Sequence, residues 1–240
     1  MEWLSRTELL VGKEGIEKLQ KAHVLIAGVG GVGSFAAEMV TRAGVGTITI
    51  VDADTVKASN RNRQLPALSS TEGQTKVEVM AARLMDINPE LQLNIYSTFL
   101  KDETIPEILD FKPDYVIDAI DSLAPKVFLI VNCKRIGIPI ISSMGAGGRL
   151  DPSKVRIADL SESFNCTLAR MVRKRLGKFN IKKGLDVVFS SEPVDKDRIL
   201  FVEGEQNKKT TLGTISYMPA TFGLLAASHV IRKLLAGKKE

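Results

Sequence analysis

Apolar residues fall into two rhythms along this chain. Short unbroken runs, His23–Ala27, Thr47–Val51 and Tyr115–Ile120, read as strands buried on both faces. Longer stretches between them, Val32–Ala43, Thr75–Asp86 and Lys126–Ile136, read as helices. Residues 6–20 predict a further short helix with apolar positions Leu9, Leu10, Ile16 and Leu19. Gly44-Val45-Gly46 stops one helix and Asn88-Pro89 closes another. Leu91–Tyr96 alternates like a strand, and Ile138–Ser142 gives one more, with Pro139 near its start. Strands and helices alternate, so the chain reads as an α/β protein with a Rossmann-like, doubly wound, mainly parallel sheet.

After Asp151-Pro152 the texture changes. Val155–Leu160 and Leu185–Ser190 read as strands, and Leu168–Leu176 as a basic helix. Lys196–Thr211 is polar and charged, which suggests a hairpin or loop, and Pro219–Ala236 is a closing helix. The expected organisation is one domain over residues 1–240. Residues 1–150 form its nucleotide-binding part, and residues 151–240 a C-terminal α+β extension.

Composition narrows the classes. The two cysteines, Cys133 and Cys166, form no CxxC pair, which excludes a disulfide scaffold and a four-cysteine zinc site. No signal peptide is evident, and the most apolar stretch, Met218–Ile231, is too interrupted to span a bilayer. No stable membrane insertion and a cytoplasmic location are the expectations. The net charge of +5 is mild. It conceals a local excess: residues 164–183 carry Arg170, Arg173, Lys174, Arg175, Lys178, Lys182 and Lys183 with no acidic residue. Such a segment would contact phosphates of a nucleic acid rather than read its bases.

The candidate chemistry begins at Gly28, Gly30 and Gly33. These fit GxGxxG, follow a strand and open a helix, the context in which that motif cradles a phosphate at a helix N-terminus. Asp52 ends the next strand, where a carboxylate can accept from ribose hydroxyls. Asp54 is either a second ribose contact or a turn residue. Gly31 makes the turn GxGGxG. The following Ser59-Asn60-Arg61-Asn62-Arg63-Gln64 and Gly73-Gln74-Thr75-Lys76 suit a triphosphate better than a dinucleotide bridge, since guanidinium and ammonium groups neutralise a departing pyrophosphate. A nicotinamide-dependent oxidoreductase, the usual owner of the glycine pattern, is thereby disfavoured. His23 and His229 read as structural.

These motifs, with Asp118-Ala119-Ile120-Asp121, make the chain resemble the ThiF/MoeB/HesA superfamily of ubiquitin-activating-enzyme-like adenylating enzymes. The resemblance implies ATP at the glycine turn, with Gly28, Gly30, Gly31 and Gly33 against its phosphates and Asp52 on its ribose. It implies Asn60 and Arg63 as phosphate and transition-state contacts, Lys76 as a phosphate-binding lysine, and Asp121 as the carboxylate holding Mg²⁺. Arg6 matches an arginine given across a homodimer interface to the neighbour's ATP. Some relatives also dock a sulfur-transfer protein.

Members that activate a sulfur carrier or ubiquitin-like protein usually have two CxxC pairs, and many a catalytic cysteine. Neither pair is present here, and nothing local marks Cys166 as reactive. The second half, through Met144–Pro152, Val172–Leu176, Val188-Phe189-Ser190 and Gly213–Pro219, is similar to the tRNA threonylcarbamoyladenosine dehydratase branch. That branch implies a tRNA substrate whose threonyl carboxylate is adenylated and then cyclised. The alternative is an adenylating enzyme for a sulfur-carrier or ubiquitin-like protein. Gly145–Gly148 is open to two readings, a cation loop or a substrate loop.

Overall fold

The computed structural model describes residues 2–101, 103–195, 199–201 and 210–237. Seven strands form one sheet in the order β3-β2-β1-β4-β5-β7-β6. In chain order they are β1 (His23–Ala27), β2 (Thr47–Val51), β3 (Gln92–Tyr96), β4 (Tyr115–Asp118), β5 (Ile140–Ser143), β6 (Val155–Asp159) and β7 (Asp186–Ser190). All neighbours are parallel except β6, which runs antiparallel to β7 at one edge. The C-terminal strands thus widen the same sheet. A separate antiparallel pair, β8 (Ile199–Phe201) and β9 (Thr210–Leu212), falls in the stretch expected as a hairpin or loop and passes its end by one residue, and the remainder of that stretch is outside the described residues.

Helices cover both faces. Alternation along β1 sends Val24 and Ile26 to one core and Leu25 and Ala27 to the other. The first core is closed by α1 (Ser5–Lys21), α2 (Gly33–Arg42), α3 (Lys76–Ile87) and α7 (Tyr217–Ala236). The second is closed by α4 (Thr104–Leu109), α5 (Leu123–Ile136) and α6 (Thr167–Leu176). Among the described residues no helix is long and apolar enough to cross a membrane.

Several expectations shift. α1 is interrupted at Gly12 (φ 74°, ψ 169°), and only Ile16 and Leu19 of its four apolar positions are buried. Leu9 and Leu10 remain 90% and 85% exposed. β4 ends at Asp118 rather than Ile120, because the Asp118 carboxylate accepts from Ile120 N (3.1 Å) and turns the chain there. α5 begins three residues before Lys126, since Pro125 sits in the first turn, where no N–H is needed. Helix α4 had no counterpart in the sequence reading.

Chain direction fixes the site. The strand order reverses between β1 and β4, and in such sheets ligands bind outside the carboxyl ends of the strands at that point. The glycine turn leaves β1 there, between Asp52 at the end of β2 and Asp118–Asp121 at the end of β4.

Candidate nucleotide site at the sheet's switch point

The glycines are required by close approach. Gly28 has φ 88° and lies against the Ala119 carbonyl, while a Cβ at Gly33 would sit 1.7 Å from the Gly28 oxygen. Gly31 faces Pro219 of α7 and the Arg63 backbone. The turn is pinned from both sides: Gly28 N donates to Val51 O (2.7 Å), and Asp52 Oδ2 accepts from Val29 N (2.8 Å). Asp52 also accepts from Asp54 N through Oδ1 (2.9 Å). Burial pushes its carboxyl above the ordinary range, and Lys76 opposes this. Asp52 therefore orders the turn itself, and a carboxylate with about four acceptor sites keeps capacity for a ribose.

Lys76 opens α3, is buried, and pairs with Asp54 Oδ2 at 2.7 Å. The two acids of β2's exit thus differ: Asp52 holds the glycine turn and Asp54 holds the lysine. Asn60 is buried in a single-turn helix, where its Oδ1 accepts from Lys57 N (3.1 Å). Arg63 is half-buried, with Nη1 donating to Ser59 O (2.9 Å) and Asn62 Oδ1 (2.8 Å). Burial lowers its guanidinium, and the Asp121 carboxylate opposes that shift, so the two face one region. Arg6 stands apart. It is exposed in the first turn of α1 and makes no hydrogen bond or ion pair with these residues.

Three residues have roles that the sequence reading did not assign. Gln64 packs 3.6 Å from where a Gly30 Cβ would lie, and its buried Oε1 has no hydrogen-bond partner among the described residues. That leaves an acceptor beside the glycine turn open to a donor from a ligand or water. Asp118 and Lys126 form a wholly buried ion pair at 2.7 Å. Ser142 Oγ donates to Asp118 (2.5 Å), while Lys126 Nζ reaches Ser142 Oγ (3.1 Å) and Ser143 O (2.9 Å). This cluster ties the ends of β4 and β5 to α5, directly behind Asp121. The available signal was a carboxylate inside an apolar run and a lysine on an apolar helix face.

Beyond β5, the buried Arg149 turns its Nη1 onto the carbonyls of Gly145 and Gly147 (3.1 Å for the latter) and its Nη2 onto Asn165 O (2.8 Å). A protein cation already engages two carbonyls of the Gly145–Gly148 loop, which weakens its reading as a metal-cation loop. Among the described residues no cluster of three His, Cys, Asp or Glu could hold a metal.

The sequence pattern of the ThiF family matches residues 4–240. The chain belongs to the ThiF family. The tRNA threonylcarbamoyladenosine dehydratase of Bacillus subtilis (strain 168) is 44% identical over 96% of this chain and 94% of its own length. The Escherichia coli (strain K12) protein of that name is 36% identical over 96% of this chain and 92% of its own. A crystal structure of E. coli tRNA N6-threonylcarbamoyladenosine dehydratase in complex with ATP superposes with a TM-score of 0.90 at 36% identity, covering 98% of this chain and 94% of that one. ThiF-family membership accounts for the ordered motifs of the first half. It leaves the cysteines idle: Cys133 is buried with its thiol pushed up to about 12, and the Cys166 sulfur accepts from Ala169 N (3.5 Å) as a helix cap.

The basic segment needs one correction. Arg173 is not part of an exposed patch: its Nη1 donates to Leu160 O (3.0 Å), Ser163 O (2.7 Å) and Ser163 Oγ. It braces α6 against the preceding turn. Arg170, Lys174, Arg175, Lys178, Lys182 and Lys183 are exposed.

Proposed function

We propose that this chain is an ATP-dependent tRNA threonylcarbamoyladenosine dehydratase. The observation that carries the reading is 44% identity to a protein of that name along nearly the whole of both chains. The site chemistry agrees. A carboxylate oxygen of the threonyl group attacks the α-phosphorus of ATP, and pyrophosphate leaves. A neighbouring group on the same modified base then closes onto the acyl carbon and AMP leaves, so the base loses one water overall. The second nucleophile belongs to the substrate, so no reactive cysteine is required. The protein's part is positioning and charge neutralisation.

In this reading the glycine turn and the α2 N-terminus face the phosphates and Asp52 the ribose. Gln64 Oε1 accepts from the nucleotide, and Arg63 and Lys76 neutralise the pyrophosphate. Asn60 has its amide NH₂ for a phosphate oxygen. One carboxylate, that of Asp121, would suit Mg²⁺ arriving on the phosphates, since that ion is commonly held by one or two carboxylates plus substrate oxygens. The ion would add positive charge where pyrophosphate departs. The exposed cations of α6 face the tRNA backbone.

The test is mass spectrometry of nucleosides after incubation with ATP and threonylcarbamoyl-modified tRNA. A product lighter by one water supports the reading. An unchanged nucleoside, with AMP instead on a carrier protein's C-terminal glycine, would replace it with the carrier-activating alternative.

Arg6 belongs to the partner's site in a homodimer, consistent with its own exposure and with the exposed Leu9 and Leu10 on the same helix. Arg6→Ala and Arg63→Ala should each abolish turnover alone. Mixed in equal amounts and allowed to exchange, they should regain about a quarter of wild-type turnover, because half the dimers carry one intact site. A mixture that stays inactive would remove Arg6 from the partner's site.

A further inference from the structure

A cavity of about 210 Å³ opens between the end of α6 and the segment entering β7. Leu160, Ile181 and Leu185 form its apolar walls, Arg173 one side, and Lys182 and Lys183 belong to its lining. It lies away from the glycine turn. β7 is parallel to β5, so Leu185 stands at the amino edge of the sheet, opposite the nucleotide site.

The cavity is built from fixed parts. The Arg173 guanidinium is anchored through Nη1 to the Leu160 and Ser163 carbonyls. Asp159 Oδ2 accepts from Leu185 N (3.2 Å) as well as from Gly184 N, and Ile181 N donates to Leu176 O (3.1 Å). Asn180 (φ 60°) and Gly184 (φ 81°) supply the left-handed turns that this path needs. No carboxylate lies within ion-pair distance of Arg173, Lys182 or Lys183 among the described residues.

We propose that this cavity receives one unstacked nucleobase of the RNA substrate, away from the base that reacts. The inference rests on the RNA reading above and extends it. An anchored guanidinium plane is a stacking surface for a base, and lysines nearby suit the phosphates on either side. The volume is below the roughly 300 Å³ at which ordinary ligand pockets begin, which fits a single ring system rather than a whole cofactor. The approach is marked by charge. Arg170 and Lys174 lie one turn apart and exposed on α6, and the exposed Lys178 follows just past its end, so positive charge runs from the sheet's active edge toward the cavity's end of the helix. α6 itself spans about 15 Å. Its start is near the Gly145 loop, since the Cys166 sulfur lies 3.7 Å from where a Gly145 Cβ would be. The bound base is therefore several nucleotides from the reacting one.

The experiment uses an RNA stem-loop bearing threonylcarbamoyladenosine, and a series of it with each other loop nucleotide made abasic in turn. Affinities are measured for the intact protein and for Ile181→Trp, which fills the cavity. Gly177→Leu is a second filling variant, at a lining position where an added Cβ meets nothing within 4 Å. One abasic position should weaken binding to the wild type about tenfold, the scale of one lost stacking contact. The filled variants should bind the intact RNA about tenfold more weakly and no longer notice that position. Equal losses in filled and wild-type protein at every position would overturn the proposal, as would a filled variant that binds intact RNA like wild type. Wild-type conversion of the same RNA is read in parallel. If no water is lost while one position still matters, the function reading fails and the cavity stands.

Discussion

Asp118 and Lys126 show how one pair can govern a site without touching a ligand. Their ion pair is fully buried, so losing one partner strands a charge in the core. Lys126→Met should destabilise the protein by about 3–5 kcal/mol in urea unfolding. Adding Asp118→Leu removes the stranded charge, and the double variant should recover most of that loss. Its turnover should still fall, because the carboxylate that accepts from Ile120 N and orders the loop to Asp121 is gone. Recovery of both stability and turnover would mean that the pair matters only for folding. The glycine turn was legible in the sequence because Gly28 and Gly33 are demanded by backbone contact, which no other residue type satisfies. The pairing of Lys76 with Asp54 and of Lys126 with Asp118 was not, because the partners are 22 and 8 residues apart and meet only through the sheet.

Among the elements, α6 separates two uses of positive charge. Its exposed cations are free to meet phosphates, while Arg173 satisfies carbonyls of its own chain. Reversing Lys174, Arg175 and Lys178 to Glu should weaken RNA binding and lower the slope of log affinity against log salt by about two, since each lost phosphate contact removes roughly 0.7–0.9. The slope is read from a salt titration, and an unchanged value would place the RNA on another face. Arg173→Ala should instead lower thermal stability, because the Ser163 carbonyl loses its donor and the Leu160 carbonyl keeps only those from Ser163. Composition located this helix correctly, but a run of basic residues looks the same whether its members face solvent or brace a turn. Helix α4 escaped because six residues with a proline in the first turn carry too little periodicity.

The whole molecule should lose stability on acidification in two stages. His23 is held below its ordinary value by burial, so the unfolded chain takes up that proton first and stability falls as pH drops through about 6.5. Asp186 is held low by its bond from His229, and Glu38 by Arg83 and Arg42 against its burial. Their contribution is complete above the ordinary carboxylate range and disappears as pH falls through and below about 4. Urea midpoints between pH 8 and pH 3 should trace both stages, and Asp186→Asn should flatten the lower one; a midpoint constant down to pH 4 would contradict the first. The α/β order was legible because strand and helix rhythms alternate cleanly, whereas the single antiparallel strand β6 was not, since direction leaves no mark on hydrophobic periodicity. Gly223 carries a last consequence. A Cβ there would lie 2.4 Å from the Val32 carbonyl, so α7 is pressed against the glycine turn that opens the chain's first βαβ unit. Every nucleotide motif is synthesised by residue 121, yet the wall behind it is α7, which begins only at Tyr217. A nascent chain on the ribosome would carry the full set of motifs and still lack a closed pocket, and would become competent only when α7 emerges from the exit tunnel.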